Sequence, residues 1–103
     1  MPLALPEASI ELTAQWQRLI GLGQRQLAQG NISYARQYFL RAADTGSPTA
    51  ALRLAETYDG EQLRRLKVIG VTADADKARH WYERAGQLGA EEAADKLQQL
   101  KLQ

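Results

Sequence analysis

The chain contains no cysteine and few β-branched residues. Its 103 residues include only two Val and four Ile, against 17 Ala and 15 Leu. Ala and Leu are strong helix formers, whereas sheets are built mainly from β-branched and aromatic residues. This composition excludes an all-β fold and predicts an all-α one. The absence of cysteine excludes disulfides, thiolate metal sites and cysteine nucleophiles.

The chain also lacks a charge excess and a long apolar run. Thirteen Lys and Arg against twelve Asp and Glu leave a formal charge of +1, which does not indicate a polyanionic partner such as nucleic acid. No stretch approaches the ~18 consecutive apolar residues of a membrane span. Residues 1–10 contain neither Lys nor Arg, and no apolar run of signal-peptide length. We therefore expect a cytoplasmic protein without a membrane span.

Residue types that carry out chemistry are scarce. His80 is the only histidine, and neither a cysteine nor a second histidine is present to complete a metal site or activate a nucleophile. We therefore expect no catalytic residue, no metal site and no cofactor.

An internal repeat organises most of the chain. At an offset of 43 residues, segment 31–54 aligns with segment 74–97, and such a fixed period is typical of repeat proteins. Eight aligned pairs are identical and two exchange one aromatic residue for another: Ala35 with Ala78, Arg36 with Arg79, Tyr38 with Trp81, Phe39 with Tyr82, Arg41 with Arg84, Ala42 with Ala85, Gly46 with Gly89, Ala50 with Ala93, Ala51 with Ala94, and Leu54 with Leu97.

Each copy predicts a helix, a tight turn and a second helix. Asn31, Ser47 and Asp74 are typical N-cap residues, and Gly46 and Gly89 suit the left-handed backbone at a helix end. From this pattern we predict about five helices, at 11–29, 31–45, 48–58, 74–88 and 90–101.

Small and aromatic side chains share one face of the helices predicted at 31–45 and 74–88, so we expect them to form the core. Ten alanines occupy positions where two helices must approach closely: Ala35, Ala42, Ala43, Ala50, Ala51, Ala55, Ala78, Ala85, Ala93 and Ala94.

Segment 59–73 is an insertion in the second copy. The first helices of the two copies are 32 residues apart, whereas the second helices are 43 apart. The excess of 11 residues therefore lies inside the second copy, between its first and second helices. We expect a packed loop with a short helical turn near 61–66. The apolar side chains expected to anchor it are Leu63, Leu66, Val68, Ile69 and Val71.

The spacing of the aromatic pair, the Ala pair and the glycine resembles the Sel1-like repeat, a relative of the tetratricopeptide repeat. The resemblance implies an all-α helical-hairpin stack, or α-α superhelix, with N-terminal and C-terminal capping helices. We place the repeats in one domain, residues 11–103, which follows a flexible segment at 1–10. Within it, repeat 1 covers about 19–47, repeat 2 about 50–89 with inserted loop 59–73, and the capping helix 90–101.

The resemblance also implies a non-enzymatic adaptor or scaffold, often in bacterial signalling, secretion or envelope assembly. Such a module binds a partner protein or peptide through the curved face formed by the first helix of each hairpin. Candidate binding residues on this face are Gln17, Gln24, Thr49, Arg53, Glu56, Asp95 and Gln99. The inserted loop, with Arg64 and Arg65, is a second candidate surface.

Two further expectations concern partners. Because a capping helix would close the stack, we expect a monomer rather than a homo-oligomer. The alternative function left open is a nucleic-acid-binding helical repeat protein that uses the basic loop around Arg64, Arg65 and Lys67.

Overall fold

The computed structural model describes residues 7–103, with side chains from residue 9 onward. Regular secondary structure in this part of the chain is entirely helical, which confirms the all-α class. The six helices are α1 (Glu7–Ala28), α2 (Ile32–Asp44), α3 (Pro48–Glu56), α4 (Gly60–Arg65), α5 (Ala75–Leu88) and α6 (Ala93–Lys101).

The helices form a stack of two hairpins. Helix α1 packs along α2, and α3 packs along α5, so each repeat contributes one pair. Contacts between α2 and α3 join the two pairs, and α6 packs on α5 at the end of the stack. This is the predicted helical-hairpin repeat architecture, with α1 and α3 as the first helices of the two hairpins.

Two helix starts differ from the prediction. Of the segment predicted to be flexible, residues 1–6 lie outside the described residues and residues 7–10 are helical, because no glycine or proline between 7 and 10 interrupts α1. Helix α6 begins at Ala93 rather than at residue 90. Gly89 has a left-handed backbone with φ of 109°, and the next residues form a turn in which the Ala93 amide donates to the Ala90 carbonyl at 3.2 Å.

One of the three predicted N-caps is wrong. Ser47 caps α3, because its hydroxyl accepts from the Ala50 amide at 3.1 Å, and Asp74 caps α5 in the same way. Asn31 precedes α2, but its side-chain amide donates to Gln26 Oε1 at 3.0 Å and accepts from no helix amide. Its backbone, with φ of −91° and ψ of 73°, departs from the extended conformation of the two working caps.

Nine of the ten alanines expected at helix contacts are buried. The exception is Ala94, which is exposed because it faces away from α5 on the last helix of the stack. The alanines are therefore packing residues as well as helix formers, since a methyl side chain lets two helix backbones come close together.

Each repeat buries one aromatic ring at the same repeat position. Phe39 on α2 and Tyr82 on α5 are both 0% exposed. The Phe39 ring lies directly against the backbone of Gly23 on α1, where an added Cβ would come closer than 3.0 Å to three ring carbons. Glycine at this position therefore allows α1 to approach α2.

The insertion forms a loop whose two ends lie next to each other, and it contains a short helix. Its two ends meet, because the Asp74 amide donates to the Tyr58 carbonyl at 2.9 Å. The predicted helical turn is present as α4. Of the five predicted anchors, Leu63 is 5% exposed and Val68 and Val71 are half-buried, but Ile69 is 95% exposed and Leu66 is half-exposed, so the prediction is wrong for Leu66 and Ile69. Only one side of this short helix faces the core, and the chain after it is not helical.

A buried carboxylate fastens α4 to the second repeat. Asp59, 2% exposed, accepts hydrogen bonds from the Glu61 amide at 3.0 Å, the Tyr82 hydroxyl at 2.7 Å and the Gln103 side-chain amide at 2.8 Å. Three donors compensate the loss of water around this carboxylate. Burial raises the pKa of Tyr82 well above its ordinary value of 10.0, and the hydrogen bond to Asp59 and the charge of Asp59 raise it further.

Replacing Gly23 by alanine tests the close approach of α1 and α2. Because the new methyl group would overlap the Phe39 ring, Gly23→Ala should lower the free energy of unfolding by about 1–3 kcal/mol. Gly21→Ala is the matched control on the same helix, since its added Cβ would meet no atom within 4 Å beyond the neighbouring backbone of α1 itself. The control should raise stability by about 0.5–1 kcal/mol through helix propensity. Equal effects in urea titrations of the two variants would contradict the close approach.

Replacing Tyr82 by phenylalanine tests the buried bond to Asp59. At pH 7, Tyr82→Phe should lower the free energy of unfolding by roughly 1–3 kcal/mol, because a buried carboxylate oxygen loses its donor.

The same variant carries a pH signature. Since the folded-state pKa of Tyr82 is raised, its stabilising contribution is complete below the unfolded-state pKa of 10.0 and decreases as the pH rises above that value. The wild type should therefore lose stability above pH 10.0 faster than Tyr82→Phe, by up to about 1.4 kcal/mol per pH unit. Parallel stability curves for the two proteins above that pH would show that the hydroxyl is not held in this way.

Candidate functional site

Two adjoining depressions form a groove between α1 and α3 that reaches α4. The upper section has a volume of about 450 Å³ and the lower section about 210 Å³, and Gln24 lines both. The upper section is lined by Thr13, Trp16, Gln17, Ile20, Gly21, Gln24, Ser47, Pro48 and Thr49. The lower section is lined by Gln24, Leu27, Arg53, Glu56, Thr57, Gln62, Arg65 and Leu66. We call this surface the α1–α3 groove.

The upper section is uncharged and amphipathic. Trp16 and Ile20 are half-buried and give it an apolar wall, while Gln17, Gln24 and Thr49 are exposed and bring amide and hydroxyl groups to its edges. The Trp16 indole N–H donates to Thr45 Oγ1 at 2.8 Å, so the ring is fixed in orientation. This surface can take up an apolar side chain and form hydrogen bonds with a peptide backbone at the same time.

The lower section is charged, but its charges are paired. Glu56 lies between Arg53, at 2.7 Å, and Lys96 of α6, at 3.5 Å. Arg65 is paired with Glu61 at 3.0 Å. Because each cation in these pairs already has an acidic neighbour, the lower section presents little net charge to a partner.

The structure places six of the nine predicted binding residues along this groove. These are Gln17, Gln24, Thr49, Arg53, Glu56 and Arg65. Asp95 and Gln99 are exposed on α6 but do not line it, because α6 directs Lys96 toward α3 instead. Arg64 is exposed on α4 and does not line the groove either.

The sequence does not predict the apolar part of the groove. Trp16 lies at helical spacing with Leu12 and Leu19, which predicts a core position. Nothing in the sequence shows that part of the Trp16 and Ile20 side chains stays accessible. The sequence predicts Pro48 at the start of a helix. The structure places it there, at the first turn of α3, and it also lines the groove.

A second groove lies between α2 and α5, with a volume of about 590 Å³. It is lined by Ser33, Arg36, Gln37, Leu40, Leu54, Tyr58, Lys77, His80 and Trp81. We call it the α2–α5 groove. The i, i+3, i+4 spacing of Lys77, His80 and Trp81 places them on one face of α5, but nothing in the sequence shows that α2 lies opposite that face.

Arg36 is held rigidly beside this groove. Its Nε–H donates to Thr57 Oγ1 at 3.1 Å, an Nη2–H donates to the Thr57 carbonyl, and its guanidinium carbon lies 3.9 Å from the centre of the Tyr58 ring. Burial lowers the pKa of Arg36 from its ordinary value, and the nearby groups of Tyr58 and Asp74 oppose that shift.

Residues 7–103 contain neither a cluster of metal-ligating side chains nor a membrane-spanning helix. Within that range, no three His, Asp or Glu side chains lie close enough together to hold a metal ion. None of the helices described there combines the length and the apolar character needed to cross a membrane.

Comparison with known families agrees with the repeat found in the sequence. The family model of the Sel1 repeat matches residues 18–47 and 48–89, close to the two repeats predicted from the sequence. No curated protein and no solved structure gives a match.

Proposed function

Because this chain belongs to the Sel1 repeat family, whose repeats generally mediate protein–protein interaction, we propose that it is an adaptor or scaffold that binds a partner through the α1–α3 groove. The partner is a protein segment or peptide that places an apolar side chain against Trp16. Its backbone forms hydrogen bonds with Gln17, Gln24 and Thr49. The family is typically non-enzymatic, and the proposed role needs no catalytic group.

The amphipathic upper section of the groove is the observation that carries this proposal. It joins an apolar wall to exposed hydrogen-bonding groups on two different helices, α1 and α3. Both helices are fixed by buried contacts, so little conformational entropy is lost when a partner binds. The paired charges of the lower section add specificity at the edge of the surface rather than a strong electrostatic attraction.

The nucleic-acid alternative has weaker support. Of the basic residues in the insertion, Arg65 is already paired with Glu61, which leaves Arg64 and Lys67 as the cations there without an ion pair among the described residues. Nucleic-acid binding depends on many simultaneous phosphate contacts, and two such cations supply few.

Site-specific cross-linking tests the proposed groove. A photoreactive benzoylphenylalanine placed at Gln17 or Thr49 should capture the same partner, which mass spectrometry then identifies. The matched control carries the photoreactive residue at Gln98, which is exposed on α6 and does not line the groove. Capture that is equal from all three positions, or absent from positions 17 and 49, would refute the groove as the binding surface.

Affinity for the captured partner supplies the quantitative test. Gln24→Arg should weaken binding by at least about tenfold, because it puts an unpaired charge between the two sections of the groove. Gln98→Arg makes the same change elsewhere and should leave the affinity within about twofold. If instead nuclease treatment abolishes capture and replacing Arg64, Arg65 and Lys67 with alanine has the same effect, the nucleic-acid alternative is correct.

A further inference from the structure

The α2–α5 groove lies on the opposite side of α3 from the α1–α3 groove. Along α3, Thr49, Arg53 and Glu56 fall on one face, while Leu54 and the following Tyr58 fall on the other, as the helical repeat of 3.6 residues requires. A ligand in one groove therefore leaves the other accessible, and the two surfaces can serve different partners.

Positive groups converge on the α2–α5 groove. The cationic side chains of Arg36 and Lys77 line it, as does His80, and none of its described lining residues is Asp or Glu. Arg36 and Lys77 approach the same ring of Tyr58, at 3.9 and 5.4 Å from its centre. Asp74 is the carboxylate that interacts with Arg36, and it is already engaged as the N-cap of α5. The groove therefore has a local excess of positive charge in a chain whose total charge is near zero.

The guanidinium of Arg36 is preorganised for an anion. Its two hydrogen bonds to Thr57 use two of the five N–H groups that an arginine carries, and the ring of Tyr58 supports it from one side. A carboxylate that meets this fixed cation does not have to immobilise a flexible side chain first.

Apolar side chains adjoin these positive groups. Leu40 is 39% exposed, Trp81 is half-buried, and the buried Leu54 contributes from α3. The sequence repeat predicts Trp81 to be a core residue, but only part of its ring is covered, and the rest lines this groove. A ligand that fits must therefore combine negative charge with an apolar group.

We propose that the α2–α5 groove is a second docking site, which binds an acidic segment of a partner protein that carries a large apolar side chain next to carboxylates. The carboxylates pair with Arg36 and Lys77, and the apolar side chain packs on Leu40 and Trp81. A nucleic acid fits less well, because the groove offers two cationic side chains and an imidazole rather than an extended row of phosphate contacts.

Peptide selection on the native chain tests this site. A random dodecapeptide library is panned against the full chain, and binders are ranked by how far Lys77→Glu weakens them, as measured by fluorescence anisotropy. Lys77 lies in the first turn of α5, where a carboxylate is favourable to the helix, so the variant should fold. Lys77→Gln repeats the measurement without reversing the charge. Lys101→Glu is the matched control, because it makes the same charge change on the exposed end of α6.

We expect the selected peptides to contain Asp or Glu next to a Leu, Phe or Trp. Their affinity should fall at least about tenfold with Lys77→Glu and stay within about twofold with Lys101→Glu. The fluorescence of the two tryptophans then shows which groove the peptide occupies, because Trp16 lines the α1–α3 groove and Trp81 lines the α2–α5 groove. The peptide should change the fluorescence of Trp16→Phe, which keeps Trp81, and leave that of Trp81→Phe unchanged.

Three results would overturn the proposal: binders without acidic residues, equal effects of Lys77→Glu and Lys101→Glu, or a fluorescence response that comes from Trp16. Displacement of the peptide by an oligothymidylate at equal concentration would assign the groove to nucleic acid instead. Binding in the α1–α3 groove is measured separately, by the fluorescence of Trp16 and by the effect of Gln24→Arg. A failure of the α2–α5 proposal is therefore distinguishable from a failure of the first proposal.

Discussion

The structure depends on the packing of one aromatic ring against small residues in each repeat. In the first repeat, the ring of Phe39 fills the space that a side chain at position 23 would need, so α1 and α2 are as close as a glycine contact permits. Buried alanines on α2 and α3 allow these two helices to pack closely against each other. This close packing fixes the helices that carry both grooves, since a surface formed by two helices keeps its shape only if their separation is constant.

The second repeat uses the same position for a second purpose. Tyr82 occupies the place of Phe39 and adds a hydroxyl, which reaches the buried carboxylate of Asp59 at the start of the insertion. Through Asp59, the core of the repeat is connected to α4. Helix α4 in turn brings Gln62 and Arg65 to the lower section of the α1–α3 groove. A difference of one oxygen atom between two equivalent rings therefore links the core to the proposed binding surface.

Much of the fold could be predicted from the repeat, because an offset that aligns glycines, alanines and aromatic residues reports contacts that recur. The bounds of the insertion and its short helix could also be predicted, but its contacts could not, because this segment occurs once. No local pattern shows that Asp59 meets Tyr82, 23 residues later, or that Ile69 stays in water. For the candidate surfaces, exposed polar residues on the first helices were identifiable from helical periodicity. The α2–α5 groove was not, because it joins residues about 40 positions apart whose proximity depends on how two hairpins stack.

Hydrogen exchange measures most directly whether the Tyr82 hydroxyl holds the insertion in place. The amides of Leu63 and Leu66 report on α4, because they donate to the carbonyls of Asp59 and Gln62. If the hydroxyl anchors α4, Tyr82→Phe should reduce the protection of these two amides more than that of the amides in α2, because the insertion opens locally while the first repeat stays closed. Unchanged protection in α4, or an equal loss in α2 and α4, would contradict the anchoring role of the Asp59–Tyr82 bond.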